Sequence, residues 1–98
     1  MLFAVLFSDK PGQGALRAAQ LAAHIAWVDA HKEQVLVAGS LRENPADVPK
    51  GGLWVVQAPD KAAVRALMQT DPFYTCGLRH SVEVLHWSKA LEHHHALI

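Results

Sequence analysis

Ninety-eight residues make a single domain, long enough for a real core and short enough that burial against a partner would add stability. With 51% hydrophobic and 18% charged residues, the composition is that of a globular protein and excludes a disordered tract. Nine Lys and Arg against nine Asp and Glu leave no formal net charge, which argues against nucleic acid or an acidic membrane as the main partner.

Residues 2–7, with their Phe and Val content, read as a strand. The run is too short to cross a bilayer and lacks the preceding basic segment of a signal peptide. Residues 8–14 form a loop around Pro11, Gly12 and Gly14. Residues 15 to about 33 predict a long alanine-rich helix with no internal Gly or Pro. A second strand covers residues 35–38 and runs into Gly39, and residues 42–52, with two prolines and two glycines, form a loop. Residues 53–58 are a third strand, and Asp60 caps a second helix that continues through Ala62, Ala63, Leu67 and Met68. Thr70-Asp71-Pro72-Phe73 interrupts that helix, and Asp71 before Pro72 suits the cap of a further short turn. Residues 81–87 are the last strand. The order β-α-β-β-α-β predicts an α+β, ferredoxin-like sandwich with an antiparallel sheet. The domain spans residues 1–90, and residues 91–98 form a C-terminal tail. Leu91-Glu92 followed by His93, His94 and His95 reads either as an expression-tag junction or as a native tail docking on a neighbour.

Strand polarity carries a quaternary expectation. Both faces of the first strand are apolar, with Leu2, Ala4 and Leu6 opposite Phe3, Val5 and Phe7; in the third strand Leu53 and Val55 lie opposite Trp54 and Val56. Two helices cover only one side of a sheet, and the other would leave a larger apolar patch than a soluble monomer exposes. A second copy packed sheet against sheet answers this, giving a two-fold homodimer or a higher oligomer. The one cysteine, Cys76, excludes an internal disulfide framework and suits a reducing cytoplasm.

The residue with most chemistry in it is His24. Leu21, His24, Ile25 and Val28 fall on one helix face, so an ionisable ring sits in an apolar stripe and must find a hydrogen-bond partner or lose its charge. Both helices pack on the same sheet face in this arrangement, which brings Asp71 within reach. A carboxylate on one ring nitrogen fixes the tautomer and raises the basicity of the other, so the pair can take a proton from carbon or oxygen and return it elsewhere. Arg17, two turns before His24, is placed to hold an anionic substrate oxygen, and Trp54 and Phe73 to line an apolar wall. Simpler roles exist for each: a satisfied core histidine, an N-cap aspartate, an arginine stem snorkelling to water, aromatic packing. No metal site is predicted: His80 and His86, six apart on the last strand, lack tight metal spacing, and no carboxylate or cysteine completes a zinc pattern with His24 and His31. Gly12-Gln13-Gly14 is not a phosphate loop, since Arg17 stands where the third glycine belongs.

The chain resembles the YciI-like (YCII-related) family over nearly its whole length. The matching features are the first strand, Arg17 with His24, Val37-Ala38-Gly39, Gly52, Asp71-Pro72-Phe73 with Gly77, and Val84 to Trp87. Ser40 departs from the pattern, standing where relatives often carry proline. The resemblance implies a ferredoxin-like protomer in a dimeric α+β barrel, with an active site on a His/Asp pair that maps to His24 and Asp71. A relative acts as a dehydrochlorinase and the wider superfamily includes muconolactone isomerase; the leading expectation is a small cofactor-independent enzyme, a lyase or isomerase acting on a small cyclic or aromatic compound. The competing expectation is a non-catalytic ligand-binding or interaction module in which the pair is structural.

Overall fold

Alternation along the first strand decides the layering. In the computed structural model, which describes residues 1–96 and residue 98, β1 (Leu2–Asp9) buries Phe3, Val5 and Phe7 under the helices and turns Leu2, Ala4 and Leu6 to the other face. It is followed by α1 (Gly14–Ala30), β2 (Val35–Leu41), β3 (Gly51–Gln57), α2 (Lys61–Met68), α3 (Pro72–Thr75) and β4 (Arg79–His86). The sheet order is β2-β3-β1-β4 and every neighbouring pair is antiparallel, the ferredoxin-like α+β arrangement expected.

Element boundaries moved by a few residues, each for a physical reason. The third strand begins two residues early, because Gly51 and Gly52 pair with both β1 and β2 instead of ending the loop. Both glycines are buried, and a Cβ at Gly51 would overlap the Phe7 carbonyl oxygen, so only glycine lets the strands approach this closely. The first helix stops at Ala30, and His31 closes it by backbone bonds to Trp27 and Val28. Asp60 caps α2 as expected, its side chain accepting from the Ala63 N–H at 2.8 Å, a contact of a kind worth about 1 kcal/mol. Gly77 ends α3 in the left-handed region, at φ +82°.

The roll of α1 differs from the stripe predicted. Leu21 and Ile25 are 41% and 57% exposed, while Trp27 is buried and Arg17, His24 and Val28 are half-buried. The alanine-rich sequence offers no strong apolar stripe, so the largest side chain sets the roll. The Trp27 indole stacks 5.2 Å from Trp54 and donates from Nε1 to the Thr70 hydroxyl at 2.9 Å. That same rotation brings His24 inward. The core beneath joins Phe3, Val5, Trp27, Val35, Trp54, Val56, Val64, Met68 and Val84. Among the described residues, no helix is long and apolar enough to cross a membrane.

Candidate active site

Asp71 sits where the chain must turn between α2 and α3. Extended at φ −68°, ψ 131°, it caps α3 with Pro72 at the first helical position, and its Oδ1 accepts from the Phe73 N–H at 3.2 Å. The side chain is fully buried. A carboxylate withdrawn from water needs strong partners, and the second one is His24: Nδ1 lies 2.7 Å from the same Oδ1. With Asp71 ionised, Nδ1 carries the proton and donates it, which leaves the lone pair on Nε2. No protein group among the described residues bonds to Nε2, and the His24 side chain keeps 12% of its surface open to solvent.

The ring is held flat as well as tethered. It stacks on Phe73 at 4.0 Å between centroids and 9° between planes, and Trp54 lies 6.3 Å away in a second stacked contact. Both aromatic residues are fully buried. Their position is beneath and beside the imidazole, where they fix its orientation, and neither lines the large cavity described next.

That cavity, of about 710 Å³, opens at the end of β1 and is bordered by Asp9, Lys10, Arg17, Val48, Lys50 and Leu78 among others. Arg17 is the link between cavity and imidazole. It lines the cavity while its Cζ lies 4.9 Å from the centroid of Phe73, the ring on which His24 stacks. Burial pushes the Arg17 guanidinium below its ordinary value, with the Asp9 carboxylate opposing that shift.

Two residues of this cluster escape sequence reasoning. Asp9 reads as a loop residue and Arg79 as lying outside the last strand, yet both are buried side chains in the sheet. Asp9 Oδ1 accepts from Arg79 Nη1 at 2.8 Å, and its Oδ2 from Arg17 Nε at 3.4 Å. Arg79 Cζ lies 4.2 Å over Phe7 and 5.1 Å from Phe73. The signal that hides Arg79 is a register shift: Ser8 pairs with Ser81, but Asp9 pairs with Arg79, so His80 is skipped. A bulge of this kind reverses the alternation and turns an arginine onto the helix-covered face. Elsewhere His31 Nδ1 bonds to the Trp27 carbonyl at 2.7 Å, and Cys76 is a free, half-buried thiol. Among the described residues, no group of three or more His, Cys, Asp or Glu side chains converges as a metal site.

This arrangement sets an imidazole with an unbonded Nε2 on a rigid aromatic floor, with a guanidinium near the same floor. Comparisons with known proteins bear on what it serves. No curated protein sequence matches the chain. Among solved structures, the chain is similar to the 5-chloro-2-hydroxyhydroquinone dehydrochlorinase TftG from Burkholderia phenoliruptrix, in complex with 2,5-dihydroxybenzoquinone. The TM-score is 0.81 and the identity 27%, covering 90% of this chain and 94% of that one. A protein from Bacteroides thetaiotaomicron assigned to the antibiotic biosynthesis monooxygenases matches at TM-score 0.59 and 18% identity, covering 99% of this chain and 95% of its own, a likeness of fold alone. The YCII-related domain model matches residues 1–88, and the chain belongs to that family.

Proposed function

We propose that this protein is a small enzyme of lyase or isomerase type that works without a cofactor on a small hydroxylated aromatic or cyclic compound. His24 Nε2 is the general base and acid, and Asp71 orients the ring and stabilises the imidazolium that forms. The observation that carries this reading is the 2.7 Å bond from Nδ1 to a fully buried carboxylate, which leaves Nε2 as the free nitrogen. A base that removes a proton from oxygen and returns it to a ring carbon performs an isomerisation. The same base, removing a proton while a neighbouring carbon–halogen bond breaks with its electron pair, eliminates hydrogen halide. The similarity to a dehydrochlorinase supports the second reaction and a substrate such as a chlorinated hydroxyhydroquinone. Incubation with 5-chloro-2-hydroxyhydroquinone, followed by chloride release and the ultraviolet–visible spectrum, tests it. Chloride release by the wild type that disappears in His24→Ala is expected; equal release in that variant removes the pair from the mechanism.

A second reading rests on one further observation. Asp71 also caps α3, so the pair ties α1 to α3 whether or not it moves protons. In that case the protein binds its ligand without transforming it.

We further propose a two-fold homodimer, formed through the sheet face away from the helices. Leu36 and Leu85 are 50% and 44% exposed there, next to the half-buried Leu2, Leu6 and Val55. The free Cys76 is consistent with a reducing compartment, and we place the protein in the cytoplasm.

A further inference from the structure

The buried charges at the cavity do not balance. One carboxylate, Asp9, serves two guanidinium groups, and it is committed unequally: the bond to Arg79 is 2.8 Å and that to Arg17 is 3.4 Å. Arg79 is buried and takes most of the neutralising field, which leaves Arg17 under-compensated. The terminal nitrogens of Arg17 have no partner among the described residues, and Arg17 is the member of the trio that borders both the open volume and the His24 floor.

The rest of the cavity has the same sign. Its other charged lining side chains are Lys10 and Lys50, of which Lys50 pairs with Glu43 at 2.6 Å and Lys10 has no ion-pair partner among the described residues. Gln13 and Gly14 bring the start of α1 to the wall, and that start has neither a side-chain cap nor an acidic residue in its first turn. Its free N–H groups add positive potential to that of the side chains. Arg79 and Arg42 push the Arg17 guanidinium in the same direction as burial does.

We propose that this cavity is the subsite for an anionic oxygen of the substrate, a carboxylate or an ionised enol, gripped by the free edge of Arg17 with Lys10 at the rim. Arg79 is a positioning residue: by occupying Asp9 it keeps Arg17 available. The assignment rests on reading this cavity as the substrate site and adds the class of substrate. His24 itself does not border the cavity; Arg17 joins this subsite to the Phe73 ring on which His24 stacks.

The test compares 2,5-dihydroxybenzoate with 2,5-dihydroxybenzamide, alike in shape but differing in charge, by calorimetric titration of the intact protein. The wild type binds the carboxylate about ten-fold tighter than the amide, a preference that weakens as salt is raised. Arg17→Gln brings the ratio near one, and Arg17→Lys retains part of it. Arg79→Gln, which lets Asp9 neutralise Arg17, lowers the ratio about three-fold with amide affinity unchanged, an effect that loosened packing would not produce. Lys10→Met, an exposed change that leaves the fold intact, lowers the ratio by a similar factor. Equal binding of the two probes, binding of neither, or a ratio unaffected by Arg17→Gln or by Lys10→Met overturns the proposal. Because the probes are not turned over, a carboxylate preference in a protein that releases no chloride would refute the elimination reading and leave the anion site standing.

Discussion

The imidazole of His24 and the carboxylate of Asp71 meet at 2.7 Å across 47 residues of chain, and the same carboxylate oxygen that receives the ring also caps α3. One atom therefore couples the imidazole to the local fold, so variants of the pair should separate the proposed proton-transfer role from the structural one.

His24→Ala should leave the fold in place, because the ring stacks on Phe73 and keeps 12% of its surface open to solvent rather than belonging to the sealed core. Turnover should fall by about 10²–10⁴-fold, the usual share of a general acid–base group. Circular dichroism with chloride release measures both.

Asp71→Asn keeps an oxygen able to accept from the Phe73 N–H but takes the charge from His24. Urea denaturation should show a loss of about 1–3 kcal/mol, with turnover reduced far more than stability would explain. Asp71→Ala, which also removes the cap, should be the less stable of the two by about 1 kcal/mol. A stability loss in Asp71→Asn with undiminished turnover would support the purely structural role.

Thr70→Val keeps the side chain's shape and leaves the Trp27 indole N–H without its 2.9 Å acceptor. The expected cost is about 1–2 kcal/mol by thermal denaturation. Since Trp27 sets the roll of α1, the shift should be accompanied by broadened His24 ring signals in nuclear magnetic resonance spectra.

Gly51→Ala should prevent folding or cost about 3 kcal/mol or more, because its methyl group would collide with the Phe7 carbonyl oxygen at the β1–β3 junction. Soluble yield and the denaturation midpoint report this directly.

Leu36→Lys and Leu85→Lys place a charge on the open sheet face without touching the helix-covered core. Sedimentation equilibrium should show a wild-type dimer converted to monomer in the paired variant. A wild-type monomer at micromolar concentration would contradict the proposed assembly.

Much of the architecture was legible without coordinates. Alternating Phe3, Val5 and Phe7, the Asp60 cap and the Asp71-Pro72 step are local signals, each decided by a residue's own backbone preference or by a period of two. His24 and Asp71 could be named as partners because helices on one face of a sheet bring such positions close. The roll of α1 was less accessible: with Leu21 and Ile25 available as a plausible stripe, nothing local shows that Trp27 takes the inward place.

Composition and pattern by themselves determined the strand and helix order, the two-faced apolar sheet and the chemical identity of the His24 and Asp71 side chains, because these depend on short-range periodicity and side-chain type. Only the tertiary structure decided that Asp9 and Arg79 belong to the same cluster as Arg17. A skipped residue at His80 inverts the facing of β4, and that inversion arises from pairing with β1, a long-range event with no trace in the local sequence.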